Sequence, residues 1–320
     1  MQRRELMLGA LALLPAASWA QNAYPKPGAT LRYIVPFPAG GLTDVMARLI
    51  GQQLGERWKT NVVIENKPGS GGQIGADAAA KSAPDGNTLL AITLTHAANY
   101  TLFPNAPYNF VRDLKPVALM AGSPMLIVVP ASSKIQNFKD LLAAAKTGKL
   151  NAGSSGNGTP PHLTLALFNE IAKTTIEHVP YKGGASSLTD LIGGQIDVIF
   201  SNFPESIAHV KSGKLRPLAI ASSARHPAVP DVATTTELGM PGLLVENWTA
   251  MMVPAGTPDA VVGKLGAEVV AILSGPEIAE RARTQGFSVD ARGPDQFAPF
   301  LDGEIKRWAA VIKAAHITVV

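Results

Sequence analysis

Pro36-Phe37-Pro38-Ala39-Gly40-Gly41-Leu42-Thr43-Asp44 follows an apolar run and opens a stretch with helical spacing. At such a junction the first backbone N–H groups of the helix have no intrahelical partner, and the helix end carries partial positive charge. An anion fits there without a lysine or arginine. Gly40 and Gly41 would let it approach the main chain, and Thr43 would add a hydroxyl donor. The competing reading is an ordinary strand-to-helix turn capped by Thr43 or Asp44. A second segment of the same character, Gly153 to His162, offers Ser154, Ser155, Asn157, Thr159 and His162 at another helix mouth, with Pro160 and Pro161 suited to a first turn. Two such loops facing each other would clamp a carboxylate from both sides.

Further groups stand at similar junctions. Thr95 and His96 lie just beyond an expected strand end, Pro68 to Gly72 could form another N-terminal nest, and Ser201-Asn202 closes another strand. Pro180 to Ala185 repeats the strand, glycine, helix order, with Lys182 read as a solvated lysine. Enzyme signatures fail where they can be tested. No glycine loop satisfies G-x-G-x-x-G, no P-loop lysine follows one, H-E-x-x-H is absent, and Asn157 stands where a nucleophile elbow around Ser155 needs glycine. A periplasmic esterase using Ser155 with His162 is the enzyme alternative, and it lacks a visible acidic orienter. His178, His209, His226 and His316 are separated in sequence and read as surface or packing histidines, so no metal site is expected.

The elements that must position these loops alternate along the chain. Leu31 to Pro36, Asn61 to Glu65 and Thr88 to Thr93 read as strands, separated by a helix bearing Leu42, Met46, Leu49, Ile50 and Leu54 and by a small-residue helix from Ile74 to Lys81. The rhythm restarts with a strand at Met125 to Val129 and runs on to Ala221, and from Pro258 helices are expected to dominate. This is an α/β pattern with parallel sheet. Leu119 to Val129 and Val245 to Val253 are the natural crossings between two α/β lobes, residues 21–121 with 247–320 and residues 122–246. Open α/β sheets bind ligands beyond the carboxyl ends of their strands, which places a ligand between the lobes.

Composition narrows the classes. The chain has no cysteine and a formal net charge of +4, with no basic run, which gives no case for nucleic acid. Arg3 and Arg4, the apolar stretch Met7 to Ala17 and the small-x-small triplet Ser18-Trp19-Ala20 read as a cleavable export signal over residues 1–20, too short to span a bilayer. A periplasmic location is expected, with the Sec and twin-arginine routes both open.

The stretches Val35 to Asp44, Glu65 to Gly72, Pro84 to Leu90, Gly156 to Leu163, His178 to Gly183 and Pro254 to Pro258, taken in order, resemble the Bug family, the TctC-like extracytoplasmic receptors of tripartite tricarboxylate transporters. The resemblance implies a type II periplasmic-binding-protein fold and a monomer that closes around a small organic acid and passes it to membrane subunits. It implies no catalysis, cofactor or metal. Carried onto this chain, it points to Phe37, Ala39, Gly40, Gly41 and Thr43 on one side, to Ser155, Gly156, Asn157, Thr159 and His162 on the other, and to Asn202 at a strand end, with Thr95 and His96 in a variable segment. Transport and an extracytoplasmic co-sensor role both remain open, as does the identity of the acid.

Overall fold

A computed structural model describes residues 24–26 and 28–319; the expected export signal lies outside them. The chain begins with β1 (Thr30–Val35), α1 (Leu42–Trp58), β2 (Asn61–Asn66), a single 3-10 turn at Ser70–Gly72, α2 (Gln73–Ala80), β3 (Thr88–Thr93), α3 (Leu94–Leu102) and α4 (Phe110–Asp113). The long β4 (Leu114–Pro130) then leads to α5 (Phe138–Thr147), β5 (Asn151–Ser154), α6 (Pro160–Ala172), β6 (Glu177–Pro180), α7 (Gly184–Ile192), β7 (Val198–Asn202), α8 (Phe203–Lys211) and β8 (Leu215–Ile220). The chain continues through β9 (Glu246–Pro254), α9 (Asp259–Leu273), α10 (Pro276–Thr284), β10 (Ser288–Arg292) and α11 (Pro294–Ala314).

The strands run in the order β2-β1-β3-β9-β4-β7-β5-β6, with β8 and β10 also paired to β4. β1 is parallel to β2 and β3, and β5 is parallel to β6 and β7. Helical crossovers between parallel strands bury both sheet faces, which is why β3 is apolar and buried along its whole length. β4 joins the two sets of strands. Its Leu114 to Pro124 portion pairs antiparallel with β9, and its Met125 to Pro130 portion pairs with β7 and β8. β4 covers Leu119 to Val129, and before β9 begins the Val245 N–H donates to Ala221 O.

The amphipathic reading of α1 holds, since Leu42, Met46, Leu49, Ile50 and Leu54 are all buried beneath it. Thr93 caps α3 through its hydroxyl, and the His96 ring accepts the Thr93 N–H in a reciprocal capping box. Helices dominate after Pro258, and between them the short β10, which the sequence does not single out, returns to pair with β4. Its run Ser288-Val289-Asp290-Ala291-Arg292 is short and half-buried, so its apolar pattern is weak.

Candidate functional site

Strands of both parallel sets, β1 and β3 from one and β5, β6 and β7 from the other, end at one place. The helices that follow β1, β3, β5, β6 and β7 begin there, and their N-cap residues Gly41, Thr93, Thr159, Gly183 and Asn202 all line one cavity of about 260 Å³. Its wall is largely apolar, and the charged residues lining it are Lys182, which is exposed, and the half-buried Glu205. The helix ends therefore set a positive potential over a poorly hydrated space. Thr95 Oγ1, Ser155 Oγ and Asn247 Oδ1, on three residues of the lining, are buried without a hydrogen-bond partner in the protein. Such groups cost roughly 1 to 3 kcal/mol each unless water or a ligand meets them.

The structure brings Phe37, Ala39, Gly41, Thr43, Thr95, Ser155, Thr159 and Asn202 to this cavity. It does not bring Gly40, His96, Gly156, Asn157 or His162 to the wall. The Gly40 N–H donates to Asp44 Oδ2 at 2.9 Å, with the residue in the left-handed region at φ +82. Asp44 is buried and also accepts from Asn66 Nδ2 and Arg48 Nε, so it fixes the loop from behind as the turn reading foresaw. His96 lies under the wall between Phe37 and Phe110.

In the second loop Gly158 and the Asn157 carbonyl pack against the first half of the chain. A Cβ on Gly158 would run into Asn99 Oδ1 of α3, and one on Gly71 would meet Asn157 O. His162 stacks on His178 with ring centroids 3.9 Å apart, and its Nδ1 accepts the Gly158 N–H. Burial lowers both histidines, His162 to about 3, helped by His178, and His178 to about 4. His178 is no isolated packing residue, since its Nε2 lies 2.6 Å from Ser154 Oγ. Ser155 and His162, the pair an esterase would need, make no such contact: Ser155 Oγ is unpartnered, and the one His162 ring nitrogen with an assigned partner holds the loop backbone.

Several wall residues were not anticipated. Glu205, on the first turn of α8, reads in sequence as an acid at a helix start, which is an ordinary occurrence. In the structure its Oε1 accepts the Leu42 N–H at 3.4 Å across the cavity. The first free N–H of α1, expected to meet a ligand, is thus engaged by a carboxylate of the protein itself. Asn247 sits at the start of β9 and donates to Asn202 Oδ1 at 2.8 Å. Gly183 to Ser186 form the wall opposite Pro38, where the repeated strand, glycine, helix order was the available signal. Among the described residues no cluster of His, Cys, Asp or Glu is arranged to hold a metal ion.

This is the architecture of a solute-binding receptor: a cavity ringed by helix N-termini. The model of the tripartite tricarboxylate transporter family receptor, TctC, matches residues 46–317, and the chain belongs to that family. The chain is 36% identical to protein BugT of Bordetella pertussis over 93% of this chain and 92% of that one. Among solved structures, R. palustris Rpa4515 with adipate has a TM-score of 0.88 and 32% identity, covering 93% of this chain and all of the other. MatC of Rhodopseudomonas palustris with bound malate has a TM-score of 0.84 and 32% identity, covering 90% and all respectively. The fold is that of the TctC and Bug periplasmic binding proteins, and the chain is a solute-binding protein and not an enzyme.

Proposed function

We propose that the chain captures a small organic carboxylate between two lobes, residues 21–121 with 247–320 and residues 122–246, and delivers it to the membrane subunits of a tripartite tricarboxylate transporter. It acts as an exported monomer. The observation that carries this reading is the convergence of five helix N-termini on one cavity whose wall holds unpartnered hydroxyls. Fixed dipoles at short range stabilise a carboxylate without a matched cation. Adipate and malate bound to relatives of this fold are acids of a size that suits such a cavity.

The test is a thermal-shift screen of the mature chain against aliphatic, hydroxy, aromatic and amino acids, followed by calorimetry. A ligand at a hundred times its Kd stabilises by about 2.7 kcal/mol. A panel in which no carboxylic acid shifts the melting temperature would overturn the assignment. Loss of uptake of the identified acid on deletion of the chain is the expected result for transport, and unchanged uptake would remove that part.

A further inference from the structure

Glu205 is an acid in a cavity built to attract anions. Its carboxylate lies between the start of α1, where Leu42 donates to it, and the start of α7, where a Cβ on Gly184 would run into Oε2. Gly184 has an ordinary helical position, so the absence of a side chain there makes room for this carboxylate. Burial pushes the Glu205 carboxyl above the ordinary glutamate value, and the hydrogen bonds from Asn202 and the Leu42 N–H oppose that shift without reversing it, so a cationic partner is what would hold it charged.

The neighbouring amides have their orientation set by this acid. An ionised carboxylate only accepts, so Asn202 must turn its NH₂ toward Glu205 and its Oδ1 away. That Oδ1 receives the Asn247 Nδ2, which leaves Asn247 Oδ1 as an acceptor with no partner. Glu205 and Asn247 therefore form an acceptor side joined through Asn202. Thr95 and Ser155 carry the unpartnered hydroxyls, which together with the starts of α3 and α6 form a donor side.

A plain acid satisfies the donor side only, and its charge is repelled by Glu205. We propose that Glu205 is the specificity-determining residue and that the cavity takes a carboxylic acid that also bears an ammonium group. The carboxylate faces Thr95, Ser155 and the helix ends, and the ammonium faces Glu205 and Asn247 Oδ1. The inference rests on the carboxylate-receptor reading and deepens it. Lys182, the other charge in the lining, is exposed at the rim, and among the described ion pairs Glu205 has no cationic partner.

The experiment is calorimetric titration of the mature chain with matched pairs that differ only by the amino group: L-aspartate and succinate, L-glutamate and glutarate, L-leucine and 4-methylpentanoate, L-phenylalanine and 3-phenylpropanoate. In the pair that fits, the amino acid is expected to bind at least about tenfold more tightly, the scale of one ionic hydrogen bond. Glu205→Gln, with its melting temperature checked in the absence of ligand, should weaken the amino acid by about that factor and bring the pair close to parity. Glu205→Asp should retain part of the preference.

If the plain acid of a pair binds wild type as well as the amino acid does, or if Glu205→Gln leaves the ratio unchanged, the specificity assignment falls and the receptor reading stands. Plain diacids that bind more tightly as pH falls, with the gain lost in Glu205→Gln, would show a protonated Glu205 donating to the ligand and also overturn it. If no carboxylic acid of any kind binds, both readings fall together.

Discussion

In the loop after β1, Gly40 bends at φ +82 into open space and Asp44 ties the backbone from behind, leaving Phe37, Ala39, Gly41 and Thr43 on the cavity wall. In the loop after β5, Gly156 and Gly158 also have positive φ but are hemmed in by Tyr181 O and by Asn99 and Leu102, and only Ser155 and Thr159 reach the cavity. Both loops follow a strand, are rich in glycine and open a helix. The first is shaped by its own side-chain network, the second by packing against α3. A glycine-rich loop at a strand end thus either lines the cavity or packs against a neighbouring element, and its neighbours in space decide which.

The largest expected effect tests the network behind the first loop. Asp44 is 2% exposed and accepts from Gly40, Arg48 and Asn66. Asp44→Ala strips partners from these donors and should cost roughly 2 to 4 kcal/mol in denaturant unfolding, with ligand affinity falling as the loop loosens. Burial pushes this carboxyl up, but the hydrogen bonds from Arg48, Gly40 and Asn66 outweigh it and hold it below the usual aspartate value. Its contribution is present above the ordinary aspartate range and is lost only as pH falls through the lowered value. A variant with wild-type stability and affinity would break the contrast between the loops.

The second loop should respond to acid at a higher pH. His162 and His178 are stacked and neutral, lowered to about 3 and about 4 from about 6.5. The unfolded chain takes up protons first, so the stability these rings contribute is present above about pH 6.5 and erodes as pH falls toward their folded values. The double substitution His162→Gln with His178→Gln should be less stable than wild type at pH 7 yet lose less between pH 6.5 and 4. His96, lowered to about 4 by its own burial, and His226, also lowered by burial, contribute to the slope that remains. Parallel curves of melting temperature against pH would show that the stack has no part in acid sensitivity.

The smallest effect separates two adjacent glycines. Gly40→Ala forces a Cβ into the left-handed region and should cost about 1 to 2 kcal/mol. Gly41 has φ −76, and its Cβ would meet Glu205 Oε1 and Pro38 O at ordinary distances of 3.5 and 3.6 Å. Its slight loss as an N-cap is offset by a stiffer unfolded chain, so Gly41→Ala should stay within about 0.5 kcal/mol. Equal costs in chemical denaturation would return the two glycines to the common role that their sequence suggests.

The amino-acid sequence by itself determined the α/β alternation, the family and the two loops, because these are written in local periodicity and in residues consecutive along the chain. Leu42, Met46, Leu49, Ile50 and Leu54 specify their helix face at one glance. Tertiary structure alone decided which loop residues line the cavity. Glu205 follows Leu42 by 163 positions, and nothing in the spacing reveals that its carboxylate takes the Leu42 N–H. Asn247 and Asn202 are 45 residues apart and become a hydrogen-bonded pair only because β9 and β7 pair with neighbouring stretches of β4, at Ser123 and Met125. Side chains that complete a site between two packed halves owe their position to chain geometry over long separations, and no short-range pattern encodes that distance.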